Sequence, residues 1–350
     1  MGQNKKDILL RVLKEYKELG IDEQIDYQKF YLYSLITHST AIEGSTVTEI
    51  ENQLLFDEGI TAKGRSLQEQ MMNLDLKAAY EQCLKLAERH DTKVTIDMLK
   101  SLAAIVMKNT GCTYNTALGS FSSANGDIRL LNVTAGTGGR SYMNYQKVPQ
   151  RLHEFCDSLN ERRQQMKSND FLAAYNLSFD AHFQLVTIHP WADGNGRMSR
   201  LLMHFLQFEN NLIPVKITKE QKGEYIQALI DTRENDNLDI FRQTMLDIHI
   251  SNLQQEITAF KKSMEDNFIG DKPKDVTDVT DRQKTILGII RANNNITTVS
   301  LAEQLGITKR TVLRDIDILK KAGLLKRIGS EKTGHWEIDC SQTSTSEAFI

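Results

Sequence analysis

No apolar run in these 350 residues approaches the ~20 needed to cross a bilayer, so a membrane-spanning protein is not expected. The opening Met1-Gly2-Gln3-Asn4-Lys5-Lys6 lacks the apolar stretch of a signal peptide, and Lys6 stands where a myristoylation signal wants Ser or Thr. A cytoplasmic protein is the expectation. Cysteine is scarce: Cys83, Cys112, Cys156 and Cys340 are scattered without metal-ligand spacing, which fits reduced, mostly buried thiols better than a disulfide framework. Neither charge sign dominates, since 43 Lys and Arg against 46 Asp and Glu leave −3 overall. The imbalance is local: residues 282–339 hold 11 basic against 6 acidic residues, a net +5, so the remainder carries −8. At this length, with 40% hydrophobic residues, two or more domains are expected.

The densest chemistry lies in His189-Pro190-Trp191-Ala192-Asp193-Gly194-Asn195-Gly196-Arg197-Met198-Ser199-Arg200. A helical pattern from Asn169 to Ile188 stops before Pro190 and resumes with Leu201, Leu202, Phe205 and Leu206, so the motif reads as helix, tight turn, helix. Gly194 and Gly196 let the backbone approach a ligand, and the N–H groups opening the second helix attract phosphate oxygens. Arg197 and Arg200, three apart, share one helix surface and reach the same phosphate chain. Asp193 is a hard oxygen ligand suited to Mg2+. His189 is suited to take a proton from an attacking hydroxyl. Asp-Gly-Asn-Gly alone is ordinary turn chemistry. A calcium loop is excluded, because its first and twelfth ligands would be Trp191 and Leu202.

His-Pro-aromatic-x-Asp-Gly-Asn-Gly-Arg-x-x-Arg resembles the signature of Fic-domain proteins, most of which transfer AMP from ATP to a Ser, Thr or Tyr hydroxyl of another protein. Trp191 stands where that family usually has Phe, and inward repacking is expected. The resemblance implies a mainly α fold, a helical core with a β-hairpin flap. It also implies nucleotide contacts from Gly194, Asn195, Gly196, Arg197 and Arg200, and a homodimer through the helical core.

Residues 6–19 and 27–43 read as helices. Glu43 falls in the last turn of the second, where the helix dipole disfavours a carboxylate by ~0.3–1 kcal/mol unless a cation answers it. A solvated Glu before a Gly C-cap would satisfy the spacing equally. The run Ser39-Thr40-Ala41-Ile42-Glu43-Gly44 resembles the family's inhibitory motif, which implies that Glu43 pairs with Arg200 and blocks the ATP γ-phosphate, with Ser39 part of the same motif. From Ser45 to Gly111 the pattern is helical, with Leu74 to Glu88 amphipathic. Between Gly119 and Pro149 glycines at 119, 126, 136, 138 and 139 break any helix, while Ile128, Leu130, Val133 and Tyr142 sit in short strand-like pieces. Gly126 to Val133 followed by Arg140-Ser141-Tyr142 resembles the flap, whose edge takes up the target segment as an added strand. A surface loop is the plainer reading. Pro149 starts a helix through Asn160. Gly223 to Leu229 resembles the helix bordering the adenosine, which makes Tyr225 a candidate base contact; a core aromatic is as consistent.

Residues 269–281 read as a charged linker. Beyond it, Arg282 to Ala292, Ser300 to Leu305 and Thr308 to Ala322 read as three helices, followed by two short strands from Leu324 to Ile338 about Gly329 and Gly334. The pattern resembles a winged helix-turn-helix. That resemblance puts Thr308, Lys309, Arg310, Thr311 and Arg314 at the start of a recognition helix and Lys326, Arg327 and Lys332 on the wing. Duplex DNA and protein docking are both open to such a module, and the local positive charge suits phosphate contacts. Residues 341–350 read as a disordered tail. The expected organisation is therefore 1–110 an N-terminal helical region with the inhibitory helix, 111–268 the catalytic core, 269–281 linker, 282–340 winged helix and 341–350 tail.

Three functions compete. The first is a protein adenylyltransferase using ATP and Mg2+, acting on a target protein's hydroxyl and on itself. The second keeps the site for AMP removal or phosphate transfer, since nucleotide orientation decides which phosphorus faces His189. The third is a nucleotide-sensing DNA-binding regulator, which would not need His189.

Overall fold

Polar caps that the sequence supplies start five of the described helices. The computed structural model describes residues 5–135, 141–166, 170–270, 281–321, 323–328 and 334–338. Two units, Met1–Phe260 and Lys261–Ile350, make up the chain. The first opens with α1 (Lys5–Glu18), which buries Leu9, Val12 and Tyr16 at helical spacing. Then come α2 (Tyr27–Ile42), α3 (Glu49–Asp57), α4 (Leu67–Ala87) and α5 (Ile96–Val106). Capping boxes, Thr48 with Glu51 and Ser66 with Glu69, start α3 and α4. Thr95 caps α5. The antiparallel hairpin β1 (Thr113–Thr116) and β2 (Gly119–Ser122) pairs Thr113 with Ser122. After it come α6 (Val148–Gln165), α7 (Phe171–Ile188), α8 (Asn195–Glu209), α9 (Lys222–Asn235) and α10 (Leu238–Gly270).

The core sits on α7 and α8. Every residue of α8 from Arg197 to Gln207 is buried, so this helix is enclosed on all sides rather than amphipathic. Among the described residues no helix is long and apolar enough to cross a membrane. Cys83 and Cys156 are buried free thiols and Cys112 is exposed; Cys340 lies outside the described residues.

The expected flap segment pairs only briefly among the described residues, and a second hairpin precedes it. The two-stranded sheet lies at 113–122, upstream of the 128–142 segment read as strands, where one bridge joins Thr134 to Ser141 and the Tyr142 N–H bonds Val133 O. Arg129 keeps that pairing short, for its guanidinium takes the carbonyls of Leu131 (2.7 Å) and Met143 (2.5 Å) that a longer ladder would use. Gly136, Gly138, Gly139 and Arg140 lie outside the described residues.

In the second unit α11 (Asp281–Ala292), α12 (Thr298–Leu305) and α13 (Lys309–Lys321) precede β3 (Leu325–Ile328) and β4 (His335–Ile338), which pair antiparallel. Gly306 ends α12 at φ 64°, the left-handed conformation that a tight turn into α13 requires. Ile286, Ile290, Leu301, Val312, Ile316 and Trp336 form its core. Arg282 anchors the buried Asp315 through Nε at 2.6 Å. Of the expected linker over 269–281, residues 269–270 belong to α10 and Asp281 opens α11, while 271–280, the wing turn with Gly329 and Lys332, and the tail lie outside the described residues.

Candidate active site

α7 ends on His189, which takes the left-handed conformation (φ 55°, ψ 61°) before Pro190. A non-glycine residue there costs roughly 1–2 kcal/mol, strain of the kind found where a side chain must be aimed. Arg129 holds the turn, donating from Nε to His189 O at 2.7 Å while its own backbone N–H bonds Pro190 O. His189 Nδ1 lies 3.3 Å from Val186 O. A carbonyl only accepts, so the neutral ring carries its proton on Nδ1 and leaves the Nε2 lone pair for a substrate. Burial, seconded by the Arg129 and Arg233 charges, pushes the imidazole pKa down to about 4.

The loop after His189 closes on itself. Asn195 Oδ1 accepts from Trp191 N (3.0 Å) and its Nδ2 donates to Trp191 O (2.9 Å), so only the Asn195 backbone is left to face a ligand. Trp191 packs inward at 1% exposure and its indole N–H reaches Gly126 O, the repacking expected at this position. Gly194 stands at φ 82°, and a Cβ there would meet Met107 Sδ at 2.8 Å. The Asp193 carboxylate is 62% exposed at the start of α8 and lies 3.8 Å from Arg197 Nη2. Arg197 is buried against α5, with Nη2 3.0 Å from Met107 Sδ and Nε without a hydrogen-bond partner. Such a buried, unanswered guanidinium N–H is suited to an anion. Among the described residues no group of three or more His, Cys, Asp or Glu could hold a metal by itself.

α2 reaches into this cradle. Arg200 donates from Nε to Ser39 Oγ (2.8 Å) and from Nη2 to Ser39 O (2.9 Å) and Glu43 Oε1 (2.5 Å). The Glu43 carboxylate also lies on Gly196, where a Cβ would come within 2.5 Å of Oε1. A carboxylate thus occupies the N-terminal end of α8, the position the backbone prepares for an anion. Burial works against its charge, yet Arg200, with Arg197 and Lys222, holds the Glu43 pKa below the usual carboxylate range. Burial likewise opposes the Arg200 charge, and Glu43 more than offsets it.

Tyr225 is 1% exposed, beside Arg200, with its hydroxyl bonded to His182 Nε2 at 3.0 Å. His182 Nδ1 is buried without a partner, and its ring stacks on Phe241. Sequence reasoning missed Arg129, Tyr142 and His182. Arg129 did leave a trace, a lone cation in the apolar run Ile128 to Leu131. Tyr142 is a ring neighbour of His189, and nothing local to residue 142 signals that.

Residues 93–207 match the Fic/DOC family and residues 282–335 an HTH domain. Curated relatives include the protein adenylyltransferase fic-1 of Caenorhabditis elegans, 26% identical over 204 residues covering 58% of this chain and 36% of that protein. The protein adenylyltransferase Fic of Drosophila willistoni is 28% identical over 204 residues, covering 57% and 37%. The chain therefore spans little more than a third of the length of these relatives. Among solved structures, a Fic-domain-containing signaling protein from Bacteroides thetaiotaomicron has a TM-score of 0.60 at 20% identity, over 73% of this chain and 97% of that one. A Fic family protein from Desulfovibrio desulfuricans has a TM-score of 0.56 at 17% identity, over 96% and 97%. At such identities the likeness is one of fold.

Proposed function

We propose, from the premise that this chain carries a Fic/DOC-family domain at residues 93–207, that it moves AMP from ATP to a hydroxyl side chain of a target protein and is held in check by Glu43. The observation that carries this reading is the Glu43 carboxylate seated on Gly196 and paired with Arg200 at 2.5 Å, in the anion position of a helix N-terminus. The names of the curated relatives support the reaction class.

In the released state Gly194, Asn195 and Gly196 would present backbone N–H groups to the phosphates, with Arg197 and Arg200 on the β- and γ-phosphates. Asp193 would hold the magnesium that accompanies ATP and neutralises phosphate charge. The target hydroxyl oxygen attacks the α-phosphorus in line, the bond to the bridging β-oxygen breaks, and pyrophosphate leaves. The hydroxyl proton goes to His189 Nε2. Nucleotide phosphates next to the imidazole raise its basicity from the low value of the empty site. Tyr225, on α9 beside Arg200, would border the nucleotide from within the core and steady Arg200 more than it touches the base. The same site would serve AMP removal if water attacked the phosphorus of an AMP-bearing target, giving its proton to His189 Nε2, while the bond to the target's hydroxyl oxygen breaks and that oxygen takes up a proton. Self-modification, a homodimer and a cytoplasmic location belong to this reading.

ATP labelled at the α-phosphate, compared with γ-labelled ATP, tests it. Transfer of only the α-label to protein is the expected result; transfer of only the γ-label would make the protein a phosphotransferase and overturn the reading.

A second activity is favoured by the HTH match at 282–335: duplex DNA binding. Exposed Lys309 and Arg314 lie on α13, the second helix of the helix-turn-helix, where groove and phosphate contacts are made in such modules.

A further inference from the structure

Arg129 stands between the flap segment and the turn that carries His189, and it is fully buried. Its place is fixed from the backbone outward. Gly126 lies so close on Lys100 O of α5 that no Cβ fits there, and Trp191 donates its indole N–H to Gly126 O. Three residues on, the Arg129 N–H bonds Pro190 O at 3.0 Å. The segment 126–129 is thus pinned to α5 and to the loop after His189 before the Arg129 side chain makes any bond.

The guanidinium then serves three separate pieces of backbone. Nε donates to His189 O, Nη1 to Leu131 O and Nη2 to Met143 O. All three acceptors are carbonyls, and among the described residues no carboxylate pairs with Arg129, so burial alone pulls its pKa down. The charge also works against the base, because it adds to the burial that lowers the proton affinity of His189. What the residue supplies is therefore the fork, directed N–H groups in one rigid plane, which a lysine ammonium cannot reproduce.

Two features of the base depend on that fork. The first is the left-handed His189 backbone, φ 55° and ψ 61°, whose carbonyl is held by Nε. The second is the ring of Tyr142 on the imidazole, since Nη2 holds the carbonyl of the next residue, Met143.

We propose that Arg129 is a positioning residue for AMP transfer: through its fork, and not its charge, it aims the His189 imidazole and seats Tyr142 against it. The rate half rests on the reading of the chain as an adenylyltransferase; the geometric half does not.

The full chain carrying Glu43→Gly, in which transfer is released, is compared with the same chain bearing Arg129→Met or Arg129→Lys. Each should lower the maximal rate of self-labelling by about a hundredfold, the effect of misplacing a reacting group by ~1 Å, and leave the ATP concentration at half-maximal rate unchanged. In a His189→Ala background Arg129→Lys should cost nothing further, since a misaimed base and a missing one are equivalent. In the resting chain the His189 Cε1 proton, identified by its loss in His189→Ala, should stand upfield of a free imidazole under the Tyr142 ring, and Arg129→Lys should move it toward the free position. A Lys variant as fast as its parent would make charge the working property, and weaker ATP binding at an unchanged maximal rate would put Arg129 on the nucleotide; either result overturns the proposal. A further loss in the His189→Ala background does so too, for it belongs to a general structural role. If Arg129→Met does not fold, Arg129→Lys carries the same readouts. If no form labels itself, the adenylyltransferase reading fails, while the His189 resonance still decides the geometric half: unmoved in Arg129→Lys, it overturns the positioning.

Discussion

The ring of Tyr142 lies flat on the ring of His189, with centroids 3.6 Å apart and planes 16° from parallel. Tyr142 is tied to Val133 O through its N–H, and the Arg233 guanidinium carbon stands 5.7 Å from its ring centre. The flap segment thereby covers the base and contributes to the burial that pushes its pKa down to about 4. Tyr142→Ala opens the imidazole to water, so its pKa should rise toward the ordinary ~6.5. A histidine Cε1 NMR titration measures this. A pKa that stays near 4 in the variant would show that α7 and Arg129, not the flap, set the burial.

His189→Ala should cut AMP transfer by ~10²–10⁴-fold, the usual share of a general base. Nucleotide binding should persist, because the imidazole acts on the incoming hydroxyl and not on the phosphate cradle. Labelling undiminished in this variant would remove His189 from the chemistry.

Four histidines make stability fall on acidification. Burial pushes the pKa of His189 and His204 down to about 4, that of His249 down to about 3, and that of His182 well below the ordinary value. Between the unfolded value near 6.5 and these folded values the unfolded chain binds more protons, so each such histidine removes stability as pH falls, by ~1.4 kcal/mol per pH unit at most. Glu49, held down to about 2 by His38 and Ser34, acts with the same sign at lower pH, its contribution being lost from the ordinary carboxylate value downward. The thermal midpoint should therefore drop steadily from pH 7 to pH 5, before most carboxylates titrate. A flat profile across that window would contradict the buried, neutral state of these rings.

Much of the site is local in sequence and was legible there. The segment from His189 to Arg200 is one turn and the start of one helix, so spacing fixes which side chains share a face. The contact from Glu43 to Arg200 spans 157 positions. Spacing alone left Glu43 as a solvated helix-end carboxylate, and only the pattern Ser39 to Gly44 pointed elsewhere. In the flap segment 126–142 the strand-like pieces form one bridge among the described residues, Thr134 to Ser141, because the carbonyls of Leu131 and Met143 are taken up by the Arg129 guanidinium. Four-residue strands such as β1 and β2 carry too few alternations to stand out from turn. Asn195 reads as a phosphate contact in the motif, whereas its side chain is closed onto Trp191, a loop contact that composition does not reveal.

In the C-terminal unit Lys309 and Arg314 are exposed on α13. Replacing both with Ala in the full chain should weaken duplex binding at every sequence tested and lower the slope of log affinity against log salt by about 2, since each lost phosphate contact removes ~0.9. Salt-independent binding, or none by the wild type, would make the module a protein-docking element.

Glu43 and Arg200 provide the last prediction. The carboxylate rests on Gly196 with a third of its side chain open to solvent, 34%, so it can leave without unpacking the core. While it stays, it neutralises Arg200 and fills the space that the γ-phosphate needs, and ATP is confined to an unproductive pose. Wild-type transfer should be low. Glu43→Gly removes block and competing charge together, and it spares the helix because Gly44, at φ 106°, already departs from it. Arg200 keeps Ser39 Oγ and O as partners and so remains aimed at the cradle. A charge-assisted bond of ~1.5–3 kcal/mol to phosphate then becomes available, which corresponds to a rise of roughly ten- to a hundredfold in incorporated AMP, self-labelling included. Adding Arg200→Ala should abolish that gain, because the released partner is then missing. If Glu43→Gly labels no faster than wild type under saturating Mg-ATP, the pairing at 2.5 Å is a structural helix-end contact and the inhibitory role is lost.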